Sequence, residues 1–285
     1  MNMKRKVIKQ RSSYTITLPV KWIKQLNLRP SSEIDVNEIG KKLIVSAEKS
    51  NEKKSIEINI SNLASGFVWR EVLGLYRKGY DEIIINHKDQ ISLLREIANY
   101  LIGFEITKQE ENKVIIEDIA GLENANFEII FKRVGFILTD LSQEFYQLLQ
   151  NKIKENEIIV LDRNLDKFTD YCLRFLNKKG LESFEDIPIY YHLVSQIEYI
   201  GDVYKEAVFS KPKKEEIALF EKTNNIIKLF IESINAKTPE KKEKILKTYE
   251  EIKKLEKLLS KKETTSSIYL KIINTSIKNC INLLF

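Results

Sequence analysis

Carboxylates recur at helical spacing in two stretches of the chain. Asp162, Asp166 and Asp170 stand four apart in "LDRNLDKFTDYCLRFL", and Glu198 and Asp202 stand four apart in "IEYIGDVYKEA". Residues four apart share one face of a helix, where like charges disfavour the helix by a few tenths of a kcal/mol per pair unless a cation binds them. Spacing alone does not decide the matter. With 41 acids among 285 residues several such pairs arise by chance, and a solvated face has the same pattern. Two features weigh against the solvated face. Both rows border apolar stripes (Leu161, Leu165, Phe168, Cys172; Val194, Ile197, Gly201, Tyr204). Gly201 costs about 1 kcal/mol inside a helix, which suggests a close approach or room for a ligand.

If helices 156–180 and 186–209 form a hairpin turning about residue 183.5, residue 202 lies level with 165 and residue 198 with 169. Asp166 and Asp170 are then expected to face Asp202 and Glu198, with Asp162 one turn away as an alternative ligand. Converging carboxylates must share protons or bind a cation. The expected cofactor is one divalent or trivalent ion (iron, manganese, magnesium or zinc). An all-oxygen donor set suits the first three better than a cysteine-type zinc site. Lys167 and Lys205 are the nearby compensators, and their long side chains are expected to reach solvent instead. The competing account places the two rows in water on opposite sides of the hairpin.

The second concentration of chemistry is positive charge. Residues 1–30 hold eight Lys and Arg and no acid, so of the overall +6 the remaining chain carries −2. Basic charge gathered in one small segment points to an anionic partner for that segment. Lys4, Arg5, Lys9 and Arg11 flank its first strand and are the expected phosphate contacts, with Ser12 and Ser13 as hydrogen-bond donors. Lys21 and Lys24 read as solvated helix charges.

These residues need elements to position them. Tyr14, Ile16 and Leu18 alternate with Ser13, Thr15 and Thr17, which predicts a strand ended by Pro19. Val20 to Leu28 predicts a short helix, and Ile34–Val36 and Leu43–Ala47 a hairpin with Gly40 at its tip. Residues 55–119 predict a small mixed α/β module. In it "SIEINI", "DEIIIN", "FEITKQ" and "KVIIED" are strands, and the helices run over 62–78, capped by Ser61 and closed by Gly79, and over 89–101. No phosphate-cradling glycine loop is present. From about residue 123 the pattern is helical, with six helices near 123–153, 156–180, 186–209, 213–236, 239–261 and 265–284. Starts are marked by a Ser183–Asp186 capping box, by Ser210 with Pro212, and by Thr238 with Pro239. The expected fold is multidomain α+β: residues 1–50, 51–121 and 122–285, the last as two antiparallel three-helix units.

The segment "KRKVIKQRSSYTITLPVKWIKQLNLRPSSEIDVNEIGKKLIVSAEK" resembles the AbrB/MazE (SpoVT-AbrB) swapped-hairpin domain, with Ser32 where a glycine is usual before the acidic residue. The resemblance implies a homodimer whose basic face meets DNA. "IEYIGDVYKEA" looks like the "ERIGDxAxxI" signature of PhoU-type phosphate-uptake regulators, and "LDRNLDKFTDYCLRFL" like the acidic motif of their preceding helix. "LYRKGYDEIIIN" and "LIGFEITKQEENKVIIEDI" look like archaeal proteins that join an AbrB-like domain to PhoU helices. There are departures. Tyr199 replaces the signature arginine, and the second helical unit offers Lys254, Ser276 and Cys280 where acids would sit, so at most one of the family's two metal clusters is expected.

The resemblance implies a DNA-binding regulator of phosphate uptake. The alternative is an adaptor that docks on the ATPase of a phosphate ABC transporter without binding DNA. An enzyme is not expected: His87 and His192 are the only histidines, and no nucleophile–base–orienter set is visible. No stretch reaches the roughly 20 apolar residues of a membrane helix, and Met1–Arg11 lacks the apolar run of a signal peptide. Two cysteines are too few for a disulfide framework. A cytoplasmic location is expected.

Overall fold

The structure, a computed structural model, describes residues 4–39, 42–46, 53–181, 183–210, 212–236 and 240–284. The chain divides into two compact units, Met1–Glu52 and Lys53–Phe285.

In the first unit β1 (Ile8–Gln10) pairs antiparallel with β2 (Ser13–Thr15) across Arg11 and Ser12. The single strand expected from Ser13 to Leu18 is thus a three-residue strand, and the pairing lies upstream of the alternating run. Arg11 supplies the reversal with a left-handed φ of 53°. Helix α1 (Val20–Gln25) is shorter than expected. Asn27, at φ 51°, ends it: Leu28 N–H bonds the Ile23 carbonyl and Asn27 N–H that of Lys24, the paired closure that a left-handed residue permits. Strands β3 (Asp35–Ile39) and β4 (Lys42–Ser46) form an antiparallel pair. The expected turn at Gly40 lies outside the described residues. No residue of this unit whose burial is described is buried.

The second unit opens with a four-stranded sheet in the order β5 (Ser55–Asn59), β6 (Glu82–Asn86), β8 (Lys113–Asp118), β7 (Phe104–Gln109). β5 and β6 are parallel, joined through α2 (Ser65–Arg77); β6, β8 and β7 pair antiparallel. Ile83, Ile85, Val114 and Ile116 alternate inward onto Val68, Val72 and Leu75 of α2 and Leu94 and Ile97 of α3 (Ile91–Tyr100). Gly79 closes α2 at φ 80°, as its position predicts. Ser61 does not cap that helix: Ala64 precedes its first turn, with no side-chain cap.

Six helices follow: α4 (Phe127–Leu149), α5 (Glu155–Lys178), α6 (Asp186–Ala207), α7 (Lys214–Asn235), α8 (Glu240–Leu259) and α9 (Thr265–Leu283). α4–α6 pack on one another, as do α7–α9, and α4 lies on α7 and α6 on α9. One apolar core runs through all six. A Cβ on Gly135 would sit 2.8 Å from Ile231 Cγ2, so the absent side chain sets the α4–α7 approach. Two expected caps are corrected. Glu185 precedes α6 without a side-chain cap. At α7 the Lys213 N–H donates to Glu216 Oε2 at 2.8 Å, in place of a Ser210 cap. Thr238 and Pro239 lie outside the described residues.

The sheet module is fixed to α5 by a polar seam at spacings of three and four. Arg163 bonds Glu96 at 2.8 Å, and Lys167 donates to the Asn99 carbonyl at 3.1 Å. Asp170 accepts from Arg77 and Tyr100, and Asn177 donates to the Arg77 carbonyl. At the centre Arg174, fully buried, reaches Asp118 at 2.7 Å, Asp81 at 3.2 Å and the Tyr76 and Tyr80 carbonyls at 3.0 and 2.7 Å. Its guanidinium also lies 4.7 Å from the Phe104 ring centre and 5.1 Å from that of Tyr76. Removing one partner of a buried ion pair strands the other charge and costs about 3–5 kcal/mol. Arg174→Met should therefore lower unfolding free energy by about that much in urea denaturation. A loss under about 1 kcal/mol would show that the seam does not depend on this pair.

Candidate functional site

Asp162 and Asp166 on α5 and Asp202 on α6 converge, each offering an oxygen within 4.8 Å of the others. The two helices meet one residue from the expected level. A Cβ on Gly201 would stand 2.5 Å from Leu165 Cδ2 and 3.3 Å from Asp162 Oδ1, so Gly201 serves close approach.

The acids differ in surroundings. Asp162 is 2% exposed. Lys205 donates to Asp162 Oδ2 and to Asp202 Oδ1, each at 2.6 Å. Lys205 thus points into the cluster, against the expectation that it reaches solvent; Lys167 instead bonds the Asn99 carbonyl. Asp162 Oδ1 and Asp166 Oδ1 are buried with no hydrogen-bond partner. Burial, reinforced by the Asp162 charge, raises the Asp166 pKa from 3.8 to about 8. Burial also raises Asp162, against its bonds to Lys205. Burial opposes the charge on Lys205, yet the bonds to Asp162 and Asp202 outweigh it and raise the pKa.

Asp170 and Glu198 do not join the three. Asp170 turns to the sheet module, where Arg77 pairs with Oδ1 and Tyr100 Oη donates to Oδ2 at 2.6 Å. Glu198 is half-buried one turn before Asp202; burial and the Asp202 charge raise its pKa, and Arg77 opposes them. Arg77 and Tyr100, far away in sequence, carried no signal of this role. Arg174 did carry one: it interrupts the buried run Cys172, Leu173, Phe175, Leu176.

The arrangement suits a hard cation. Three carboxylates supply the oxygen donors such ions take, and two buried oxygens of the group have no other partner. Asp162, Asp166 and Asp202 would hold the ion.

In the first unit Lys9, Arg11, Ser12 and Ser13 fall within the β1–β2 hairpin, Lys9 opposite Tyr14 and Arg11 with Ser12 at its tip. Lys4 and Arg5 precede it, and all six residues are exposed. Ser13 Oγ donates to the Gln10 carbonyl at 3.0 Å, so its proton serves the turn.

Residues 7–53 match the family described as antidote-toxin recognition MazE, bacterial antitoxin. The chain thus carries a MazE/AbrB-type domain at its N-terminal end. No curated protein and no solved structure matches it. Among the described residues no helix is long and apolar enough to cross a membrane.

The raised Asp166 pKa fixes a pH dependence. The folded, metal-free protein keeps a proton there up to about pH 8, whereas the unfolded chain releases it near 3.8. The stabilising contribution is full below 3.8 and is lost as pH rises through about 8. Metal-free wild type should therefore lose stability between about pH 5 and pH 8. Asp166→Asn should flatten that slope and melt higher at about pH 8, by about 2–4 °C per kcal/mol relieved. An unchanged slope in thermal melts would refute the assignment.

Proposed function

We propose that the protein is a DNA-binding regulator of phosphate uptake, in which a MazE/AbrB-type dimer is joined to a PhoU-like helical sensor that binds a hard cation. The carrying observation is the exposed basic hairpin in a unit with no buried residue among those whose burial is described. Val7, Ile8, Tyr14, Ile16, Val20, Leu26, Val36 and Leu43 are all exposed, and a unit this small gains a core by sharing one with a second copy. Two copies bring together twice the eight cations of residues 1–30, a charge density that duplex phosphates match.

The phosphate role rests on the likeness of "IEYIGDVYKEA" and "LDRNLDKFTDYCLRFL" to the PhoU motifs, and the cation on the converging Asp162, Asp166 and Asp202. The protein acts by binding rather than by catalysis. Both cysteines are buried, and burial pushes the Cys280 thiol up to about 12, far from a ready nucleophile. The family match itself favours a second reading, an antitoxin-type regulator whose partner is a toxin protein.

Full-length protein should sediment as a dimer at micromolar concentration; a folded monomer would remove the basis for the shared core. With about 6–8 phosphate contacts, the logarithm of duplex affinity should fall against the logarithm of salt with a slope near −5 to −7. Lys9→Ala with Arg11→Ala should weaken binding at least tenfold and make the slope shallower. Genome-wide chromatin capture should place the protein at phosphate-transport promoters. A salt-insensitive interaction, or no duplex binding at all, would leave the adaptor or toxin-partner reading in its place.

A further inference from the structure

We propose that Lys205 is a tethered cation that occupies the acidic cluster and must be displaced before a metal ion enters, an inference that rests on the cation-binding reading above. The ammonium lies 2.6 Å from one oxygen of Asp162 and 2.6 Å from one of Asp202. It therefore bridges α5 and α6 through two of the three carboxyl groups that would ligate an ion.

Its neutralisation is incomplete. One ammonium faces three carboxyl groups and bonds only two of them, and Asp162 Oδ1 and Asp166 Oδ1 remain buried and unpartnered. Asp162 is 2% exposed, so that oxygen has no bulk water to turn to. A divalent ion brings twice the charge and several coordination positions to the same place. It cannot share the place with an ammonium, because two cations at ligand distance repel.

An exit exists. The Lys205 side chain is 38% exposed, and its residue lines an open, largely apolar pocket of about 550 Å³ with Ile159, Val208, Phe209 and Tyr269. The four-carbon stem can lie along those side chains while the ammonium meets water. A divalent ion thus trades places with Lys205, and the lysine sets a threshold below which the cluster stays closed by its own cation.

The test is calorimetric titration of Mn²⁺ into full-length, chelator-treated protein. Lys205→Met keeps the stem and removes the competitor. It should bind one Mn²⁺ per chain at least tenfold more tightly than wild type, and Lys205→Gln should move in the same direction. Equal or weaker binding by both variants, with wild type still binding, overturns the tethered-cation role and leaves the cation site standing. No binding by wild type or either variant overturns the cation site and this inference with it. If Lys205→Met is too unstable to titrate, the rise in Tm on adding Mn²⁺ is read instead. That rise should exceed the wild-type rise, and an equal or smaller one counts against the proposal.

Discussion

The buried guanidinium of Arg174 is the constraint on which the second unit depends. It closes two carboxylates, Asp81 and Asp118, and two backbone carbonyls that come from the sheet module, while its own helix belongs to the apolar core of the six helices. A charge so placed has no alternative partner in water. The module must dock in one register or leave Arg174, Asp81 and Asp118 desolvated and unpaired. Tyr171, one turn earlier, packs against both apolar clusters and makes the docking continuous with the core.

That docking shapes the acidic site by subtraction. α5 presents Asp162, Asp166 and Asp170 four apart, but Asp170 is drawn to Arg77 and Tyr100 and leaves the row. The two that remain meet Asp202 where Gly201 lets the helices touch. The outcome is a cluster partly neutralised by one lysine, with two buried oxygens left over. Neutralisation by Lys205 and, in the proposed exchange, by a metal ion are two solutions to the same electrostatic problem.

The first unit presents the opposite case. Its apolar residues are laid out at strand and helix spacing, yet none of those whose burial is described is buried within one copy. Residues 1–30 carry eight cations and no acid, whereas the segment that follows mixes Glu33, Asp35 and Glu38 with Lys41 and Lys42. Exposed apolar residues (Val7, Ile8, Tyr14, Val20) and cations (Lys9, Arg11, Lys21) thus alternate along the same short stretch.

Periodicity and punctuation in the chain determined the six helices within a few residues, the four strands and two helices of the sheet module, the Gly79 closure and the facing of α5 and α6, because each depends on neighbours in sequence; the sheet order β5-β6-β8-β7 did not follow from them. The basic character of residues 1–30 is likewise a property of composition. Caps were less legible: Ser61 and Ser183 have the right chemistry, but Ala64 and Glu185 precede α2 and α6 without a side-chain cap. Which acids meet was decided only by tertiary structure. Arg77 and Tyr100 stand 93 and 70 residues from the Asp170 they claim, and Lys205 joins Asp162 across 43. No local pattern encodes such pairings. They follow from the docking of the sheet module on α5 and from the absent side chain at Gly201, which bring charges together only once both cores have formed.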